Sequence, residues 1–445
     1  MKSIFLFIFT SATLFAQKFV VPTQQQLAWQ QTELSAFLHF GVNTFTDREW
    51  GEGTESPKIF NPTRFDANKI VKALKRAGFK RIIITAKHHD GFCLWQTAQT
   101  EHSIKNSPYK NGKGDIVKEL SVACKKFGVQ FGVYLSPWDR HEPSYGTSSY
   151  NDFYKKQLRE LLTNYSDISE VWFDGAKGEN AKNMVYDFQG YWKLVRELQP
   201  NAVMFSDVGP DVRWVGNESG NAGNTNWSTI TTTGMSPGVA DEKYLNTGDS
   251  EGKLWIPAET DVSIRKGWFY HAAEDSTVKS GKQLLDLYFN SVGKNSLLLL
   301  NIPPNKNGEL SESDVKSLNA FRILREKTFK NNLVETQCVA SPILTDKKLE
   351  TFLELNRDSF IVFEFKKPIT FDVLMLQENI AQGQRIASGN FEFWNGTAWQ
   401  LLKNFSTVGY KRLIKCDPVT TTKLRLSILQ SKGAAQLSEV GIYKN

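Results

Sequence analysis

The sequence predicts an α/β fold, a (β/α)8-like (TIM-type) barrel over residues 17–333 followed by a C-terminal β-sandwich over residues 334–445. Three observations carry that expectation. Apolar strand-like runs alternate with amphipathic helical runs from residue 34 to about 330; short β segments without a long helical pattern then replace them; and histidines, aromatics and aspartates, Asp174 among them, gather at the ends of the first four runs. The 445 residues, 40% of them hydrophobic, suffice for about two globular domains.

The chain opens with MKSIFLFIFTSATLFAQ, in which Lys2 precedes an apolar stretch and Ala12 and Ala16 precede Gln17. This pattern predicts a secretory signal over residues 1–16, cut after Ala16, and hence a secreted protein, periplasmic or extracellular in a bacterium. No cysteine follows the cut to carry a lipid. The stretch is too short to span a bilayer, and no later run supplies about twenty apolar residues, so no membrane insertion is expected.

The barrel units follow in order. LSAFLHFGVN at 34–43 reads as the first strand, and Ile70, Val71, Leu74 and Ala77 recur at helical spacing in DANKIVKALKRAGF, which Gly78 ends. KRIIITAKHHDGF at 80–92 and DIVKELSVACKKFG at 115–128 repeat the unit, as do VQFGVYLSPWD at 129–139 and a helix through Leu158, Leu161 and Leu162. EVWFDGA at 170–176, the helix QGYWKLVRELQP and the strand AVMFSDVG continue it. After residue 210 the rhythm loosens through GNESGNAGNTNWSTITTTG, then resumes in KLWIPAETDVSI, GKQLLDLYFNSVG and SLLLLNIPP. A doubly wound sheet fits the same alternation, but no Gly-rich phosphate loop follows the first strand.

The later segments SFIVFEF, FDVLMLQ, NFEFWNGTAWQLL, TKLRLSIL and EVGIYK read as sandwich strands, with Asn395-Gly396 at a hairpin turn. Carbohydrate binding and plain packing against the barrel are both open for this domain. The net charge of +7, without a Lys/Arg block, gives no reason to expect nucleic acid as a partner. Cys93, Cys124, Cys338 and Cys416 lie far apart with no CxxC spacing, which speaks against a zinc site or a disulfide scaffold; a Cys338–Cys416 pair stays open.

In a barrel the loops after the strands' C-terminal ends build the active site. The first four strands end in His39-Phe40-Gly41, Lys87-His88-His89-Asp90, Tyr134 to Asp139, and Trp172-Phe173-Asp174-Gly175. Three of six histidines, several aromatics and Asp174 therefore meet at one mouth. Flat apolar faces beside hydrogen-bonding groups suit a sugar ring. Plainer readings exist for each residue: Asp174 before Gly175 as a turn or cap, a histidine as structural, Glu49 as a surface acid. Adjacent His88 and His89 point to opposite sides of a strand. The histidines and aspartate could also bind a metal, though without the i,i+4 spacing of a helical site.

The runs HFGVNTFTDREWG, FNPTRFDANKIVKALKRAGFKRIIITAKHHDGFCLW, GVYLSPWD and VWFDGA resemble family 29 of the glycoside hydrolases, the retaining α-L-fucosidases, over residues 20 to about 330. The resemblance implies a barrel followed by a sandwich, no cofactor, no metal, and a fucosylated oligosaccharide or glycoprotein glycan as substrate. It makes Asp174 the nucleophile of a double displacement. It also implies a fucose pocket of His39, Glu49, Trp50, His88, His89 and Tyr134, with Trp268 of SIRKGWFYH beside the 6-methyl group; Lys266 in that run stands where proline is expected.

A retaining glycosidase needs a second carboxyl roughly 5 to 5.5 Å from the first. Candidates are Asp207, Asp211, Glu218, Glu251 and Glu259. Glu218 of RWVGNESG lies in a long loop near Trp214, and an apolar neighbour raises a carboxyl pKa as a general acid requires. Resemblance to the α-1,3/1,4-specific branch of the family also puts the acid/base in such a WVGNE-like segment. Glu218 is therefore the expected acid/base, with Asp207 of FSDVGP as runner-up. The loop from Val208 to Pro237, carrying Trp214 and Trp227, is expected to surround the leaving group and to favour Lewis-type α-1,3- or α-1,4-linked fucose over α-1,2-linked fucose. A secreted carbohydrate-binding protein without catalysis, and a glycosidase of the same mechanism acting on another sugar, are the alternatives.

Overall fold

A computed structural model describes residues 19–338, 342–356 and 359–444; the expected signal segment, 1–16, lies outside them. In chain order the strands of the first part are β1 (Leu34–Leu38), β2 (Arg81–Lys87), β3 (Gln130–Leu135), β4 (Glu170–Trp172), β5 (Val203–Ser206), β6 (Val212–Trp214), β7 (Thr229–Ile230), β8 (Leu254–Trp255), β9 (Ala258–Ser263) and β10 (Ser296–Asn301). Eight of them close a parallel barrel in the order β1-β10-β9-β6-β5-β4-β3-β2, while β7 and β8 form a separate two-stranded ribbon. The TIM-type barrel expected from the alternating pattern is present.

The helices begin and end where side-chain chemistry dictates. Asp66 caps Ala67–Ala77 by accepting from the Lys69 amide, and Gly78 ends it at φ 103°. Asp115 caps Ile116–Phe127 in the same way, with Gly128 at φ 63°. Their apolar faces, Ile70, Val71 and Leu74 on one helix and Ile116, Val117 and Leu120 on the other, join one core between strands and helices. A second cluster fills the barrel interior, where the Trp172 and Phe205 rings stack at 4.1 Å. The interior also holds charge: Arg81 pairs with Glu170 at 2.9 Å, and Trp172 Nε1 donates to Glu259 at 2.8 Å.

One barrel strand is absent from the sequence reading. Parallel neighbours usually need a long crossover, yet β6 follows β5 after residues 207–211 with no helix between. Only Phe205↔Val212 and Ser206↔Arg213 are paired between them. A three-residue strand inside a loop-rich stretch has no periodicity to detect.

The remaining strands are β11 (Leu353–Leu355), β12 (Phe360–Glu378), β13 (Ile386–Trp394), β14 (Trp399–Phe405), β15 (Arg412–Ser431) and β16 (Ala435–Tyr443). They form one antiparallel, sandwich-like sheet in the order β11-β16-β12-β15-β13-β14. Bulges in the long β12–β15 pairing, between Glu364 and Ile369 and between Phe371 and Val373, let it wrap around its own core. Asn395 and Gly396, the latter at φ 105°, make the β13–β14 hairpin turn. All four cysteines are free thiols, so Cys338 and Cys416 do not pair. Among the described residues no helix is long and apolar enough to cross a membrane.

The sheet is joined to the barrel by buried polar contacts. Gln384 accepts from the Ser228 amide at 2.8 Å and from Asn295 Nδ2 at 3.2 Å, and Asn295 Oδ1 accepts from the Tyr410 amide at 2.8 Å. Arg412 donates to the Asn224 carbonyl.

Candidate active site

At the C-terminal ends of the barrel strands lies a cavity of about 320 Å³. Eight of the nine residues singled out in the sequence line it: His39, Glu49, Trp50, His88, His89, Asp174, Glu218 and Trp268. The ninth, Tyr134, is fully buried and does not border it; its hydroxyl bonds Asp174, which does. A larger cleft of about 510 Å³ lies between Arg325 and Tyr443, at the seam of barrel and sheet, and none of these residues borders it.

Asp174 follows β4 and is only partly exposed. Tyr134 Oη donates to its Oδ2 at 2.9 Å and the Ala176 amide to its Oδ1 at 2.8 Å, so both oxygens are oriented. His89 Nε2 lies 3.7 Å from Oδ2. Phe173 extends the pairing of β4 by donating its amide to Phe205 at 3.0 Å, which makes the mount stiff. Gly175 is required by close approach, since a Cβ there would lie 2.2 Å from Asp207 Oδ2 and 2.6 Å from the Gly238 amide.

The three histidines are neutral, and the tautomers of two follow from their partners. Burial pushes His39 down to about 3 and His89 to about 4, and holds His88 well below 6.5. Asn301 donates its Nδ2 hydrogens to Ser263 Oγ and the Trp268 carbonyl, so its Oδ1 accepts from His39 Nδ1 at 2.9 Å. Ser136 gives its hydroxyl proton to the Trp138 carbonyl, so its oxygen accepts from His89 Nδ1 at 2.7 Å. Both rings thus keep Nε2 as an acceptor. His88 Nδ1 lies 3.5 Å from Asn43 Nδ2, whose two hydrogens have closer acceptors in the Asp90 carboxylate at 3.1 Å and the Glu49 carbonyl at 3.3 Å.

The candidate acid/base residues separate clearly. Asp211 is used by Arg196 and the Met204 amide, Glu251 is an exposed partner of Lys432, and Glu259 sits deep in the barrel under Trp172. Asp207 is tied to the Gly238 amide at 2.7 Å behind the Asp174 turn and does not border the cavity. Glu218 alone of the five lines it. Burial raises its carboxyl above 4.5; a Trp268 N–H bond opposes that rise, and the charges of Asp174 and Glu49 add to it.

Two expectations about the surrounding loop are corrected. The aromatic that touches Glu218 is Trp268, through Nε1 at 3.3 Å; Trp214 instead donates to Asp261 at 2.8 Å. Trp227 is 6% exposed and packed under Lys432 at the seam with the C-terminal sheet, so it does not stand at the cavity rim. The reason is that residues 224–228 are captured by the sheet, through Arg412, Ser406, Thr407 and Gln384, and the stretch around Glu218 turns back to the cavity.

Glu49 is more than a lining acid. Its Oε2 accepts from the Trp268 amide at 2.7 Å, and its Oε1 from the Phe269 amide at 3.1 Å and His271 Nε2 at 2.6 Å. Trp50, 46% exposed, sets its ring edge-on to Trp138 at 5.3 Å and to His89 at 5.8 Å. Trp268 lies 5.1 Å from the His39 ring.

Sequence reasoning missed Asp261. It lines the cavity from β9, and burial holds its carboxyl well above 3.8. The available signal was the strand AETDVS, where Glu259 and Asp261 alternate and so face the barrel interior together. Among the described residues no group of three or more His, Cys, Asp or Glu side chains is placed to hold a metal ion.

The arrangement is a deep pocket with two carboxyls in different environments, neutral histidines and aromatic walls, at a barrel mouth. Comparison with known proteins points the same way. The alpha-L-fucosidase family profile matches residues 16–322. Alpha-L-fucosidase 1 of Arabidopsis thaliana is 45% identical over 443 residues, which cover 95% of this chain and 87% of that one. A glycoside hydrolase 29 family member from an unknown rumen bacterium is 40% identical, with a TM-score of 0.88 over 96% of this chain and 78% of the other. A Ruminococcus gnavus family 29 fucosidase, solved in complex with fucose, is 36% identical with a TM-score of 0.88, covering 96% and 95% of the two chains.

Proposed function

The chain belongs to the alpha-L-fucosidase family and is a glycoside hydrolase; from that premise we propose that it releases terminal fucose with retention, Asp174 attacking and Glu218 serving as acid and then base. The observation that carries this reading is the contrast between two carboxyls of one cavity. Asp174 is fixed from below by Tyr134 and Ala176, while Glu218, at the rim, keeps its proton to higher pH than an ordinary glutamate.

In the first step Asp174 bonds to the anomeric carbon as the glycosidic bond breaks, and Glu218 gives its proton to the departing oxygen. In the second, water loses a proton to Glu218 and displaces Asp174. His39 and His89 offer acceptors to ring hydroxyls, His88 lines the same cavity, and Trp268 offers an apolar wall for the methyl group. A volume of about 320 Å³ is at the small end of ligand pockets, roughly 300 to 1,000 Å³, which suits one ring with its leaving group outside.

Replacing Asp174 with glycine is expected to lower turnover by about 10³-fold or more with the fold intact. Added azide should restore activity and yield β-fucosyl azide. Retention of a few per cent of the rate without azide would exclude Asp174 as nucleophile.

The preferred linkage in this proposal is α-1,3 or α-1,4, as in Lewis-type glycans, supported by the WVGNE-like setting of Glu218 and by its opening to solvent beside Trp268. Specificity constants should be higher for Lewis-type trisaccharides than for 2-fucosyllactose or a simple aryl fucoside, because remote contacts act at the transition state. Equal constants for the three would refute it. The apolar leader supports export to the periplasm or medium, which N-terminal sequencing of the exported protein would check.

A further inference from the structure

We propose that His271 is a positioning residue of the sugar pocket: an imidazolium clasped between Asp47 and Glu49, it fixes Glu49 and the Trp268 loop against the bound ring. The inference rests on the proposed role of Glu49 and Trp268 in holding fucose. His271 itself does not border the cavity.

The geometry sets its protonation. Nδ1 lies 2.8 Å from Asp47 Oδ1, and Nε2 lies 2.6 Å from Glu49 Oε1. A neutral imidazole has one N–H, whereas two carboxylate partners on opposite nitrogens need two, so the ring is doubly protonated. Through Glu49 that charge reaches the pocket, because the same carboxylate takes the amides of Trp268 and Phe269. The loop closes tightly around the pair: a Cβ on Gly267 would lie 2.4 Å from Glu49 Oε1 and 3.0 Å from the His271 ring. Asn301 holds the other side of the loop by donating to the Trp268 carbonyl at 2.7 Å, and the Trp268 indole ends on Glu218. Loss of the clasp would thus be felt in the wall of the pocket.

Asp47 and Glu49 face the ring from the loop after β1. From its own loop, Arg265 donates to the His271 carbonyl at 3.3 Å and is itself engaged by Asp275 and Asp314, and the Glu274 carboxylate takes the Gly267 amide at 3.2 Å. Lys279 is bound to the carbonyls of Ser263 at 2.7 Å and Arg265 at 3.0 Å, and the charged partners of the ring itself are the two carboxylates. Burial alone would lower the imidazole, but its hydrogen bonds and charge pairing with Glu49 and Asp47 outweigh that and hold it above 6.5. A group raised in this way contributes below its folded value and is lost as pH rises through it. His39, His88 and His89, all neutral at such pH, cannot produce that loss.

The test uses an aryl fucoside with an acidic nitrophenol leaving group, whose departure needs no proton and so hides the titration of Glu218 in the first step. Steady-state constants are measured from about pH 5 to pH 9 for wild type, Asp47→Asn, His271→Gln and Glu49→Gln. Wild-type KM should climb on the alkaline side, and in Asp47→Asn, an exposed change that spares the core, the climb should begin at lower pH. His271→Gln should show KM raised about tenfold at neutral pH, the worth of one charge-assisted hydrogen bond, with a smaller change in kcat and no further alkaline climb. A wild-type KM or a persisting climb in His271→Gln, or an unmoved climb in Asp47→Asn, overturns the inference. If Glu49→Gln raises KM while His271→Gln does not, the role of His271 alone falls. If Glu49→Gln keeps the wild-type KM, the pocket reading falls and the clasp with it.

Discussion

Glu218 and Asp174 illustrate how one residue type acquires two tasks. Asp174 is held by Tyr134 from β3 and by the Ala176 amide of its own turn, whereas Glu218 has only a long bond from the Trp268 indole and a raised carboxyl. A raised acid stays protonated to higher pH, so the rate on oligosaccharides should fall as pH climbs through its value, above 4.5. Glu218→Gln should remove that limb and slow oligosaccharide cleavage by about 10² to 10⁴-fold, with a far smaller effect on the first step for an activated aryl fucoside; equal losses on both substrates would argue against acid catalysis. At this scale the sequence was informative wherever a residue terminates a strong strand. His39, His88, His89 and Asp174 each directly follow a run of buried residues, and a barrel sends all such ends to one mouth. Asp261 and His271 were harder, because their significance depends on partners 47 and 224 residues away in the chain, Trp214 and Asp47. No local pattern marks such pairs.

Among elements, the β4 turn is the tightest point of the site. The expectation of a rigid strand ending on Asp174 was legible from VWFDG alone. What the string could not show is that Gly175 serves the strand next door: the Asp207 carboxylate beyond β5 occupies the space a side chain would need. Gly175→Ala should therefore displace the turn that carries Asp174, with a cost of about 1 to 3 kcal/mol for the overpacking and at least about a tenfold loss in kcat/KM. Asp207→Ala added to it should recover part of both, read by thermal melts and steady-state kinetics; a Gly175→Ala enzyme as fast and stable as wild type would show that the turn can shift freely. The opposite lesson comes from the stretch after β5. Its Gly- and Asn-rich composition reads as a free rim, yet Asn226 donates to the carbonyl of Lys294, Arg213 takes the Trp227 carbonyl, and Thr407 receives the Asn226 amide. Composition reports that a backbone leaves regular structure; it does not report which distant polar groups capture it.

At the level of the whole molecule the barrel and the sheet share a core. Val373, Met375, Leu413 and Tyr443 of the sheet belong to the same apolar cluster as Phe289 and Val292 of the barrel. Four such side chains, at roughly 1.5 to 3 kcal/mol each, rival the stability of a typical domain, about 5 to 15 kcal/mol, so the chain should unfold as one unit. The seam also holds an ion pair that makes this testable by pH. Glu33, before β1, is bound by Lys411, by Tyr288 Oη at 2.6 Å and by Tyr410 Oη at 3.2 Å. Burial would raise its carboxyl, but the Lys411 charge and these hydrogen bonds bring it below 4.5. A carboxyl lowered on folding contributes stability above its unfolded value and loses it as pH falls through the folded one. Lys411→Met should thus cost about 2 kcal/mol at neutral pH. The gap in melting temperature between the two proteins should narrow as pH is lowered, because in the variant the buried Glu33, no longer held down by Lys411, takes a proton first and then no longer needs its partner, while the wild type loses its pair only below 4.5. Melts followed at once by tryptophan fluorescence and far-UV circular dichroism would decide it: coincident transitions with a closing gap support a seam governed by Glu33, whereas a constant gap, or a sheet that melts before the barrel, would show that the two parts are held together by the apolar cluster or not at all.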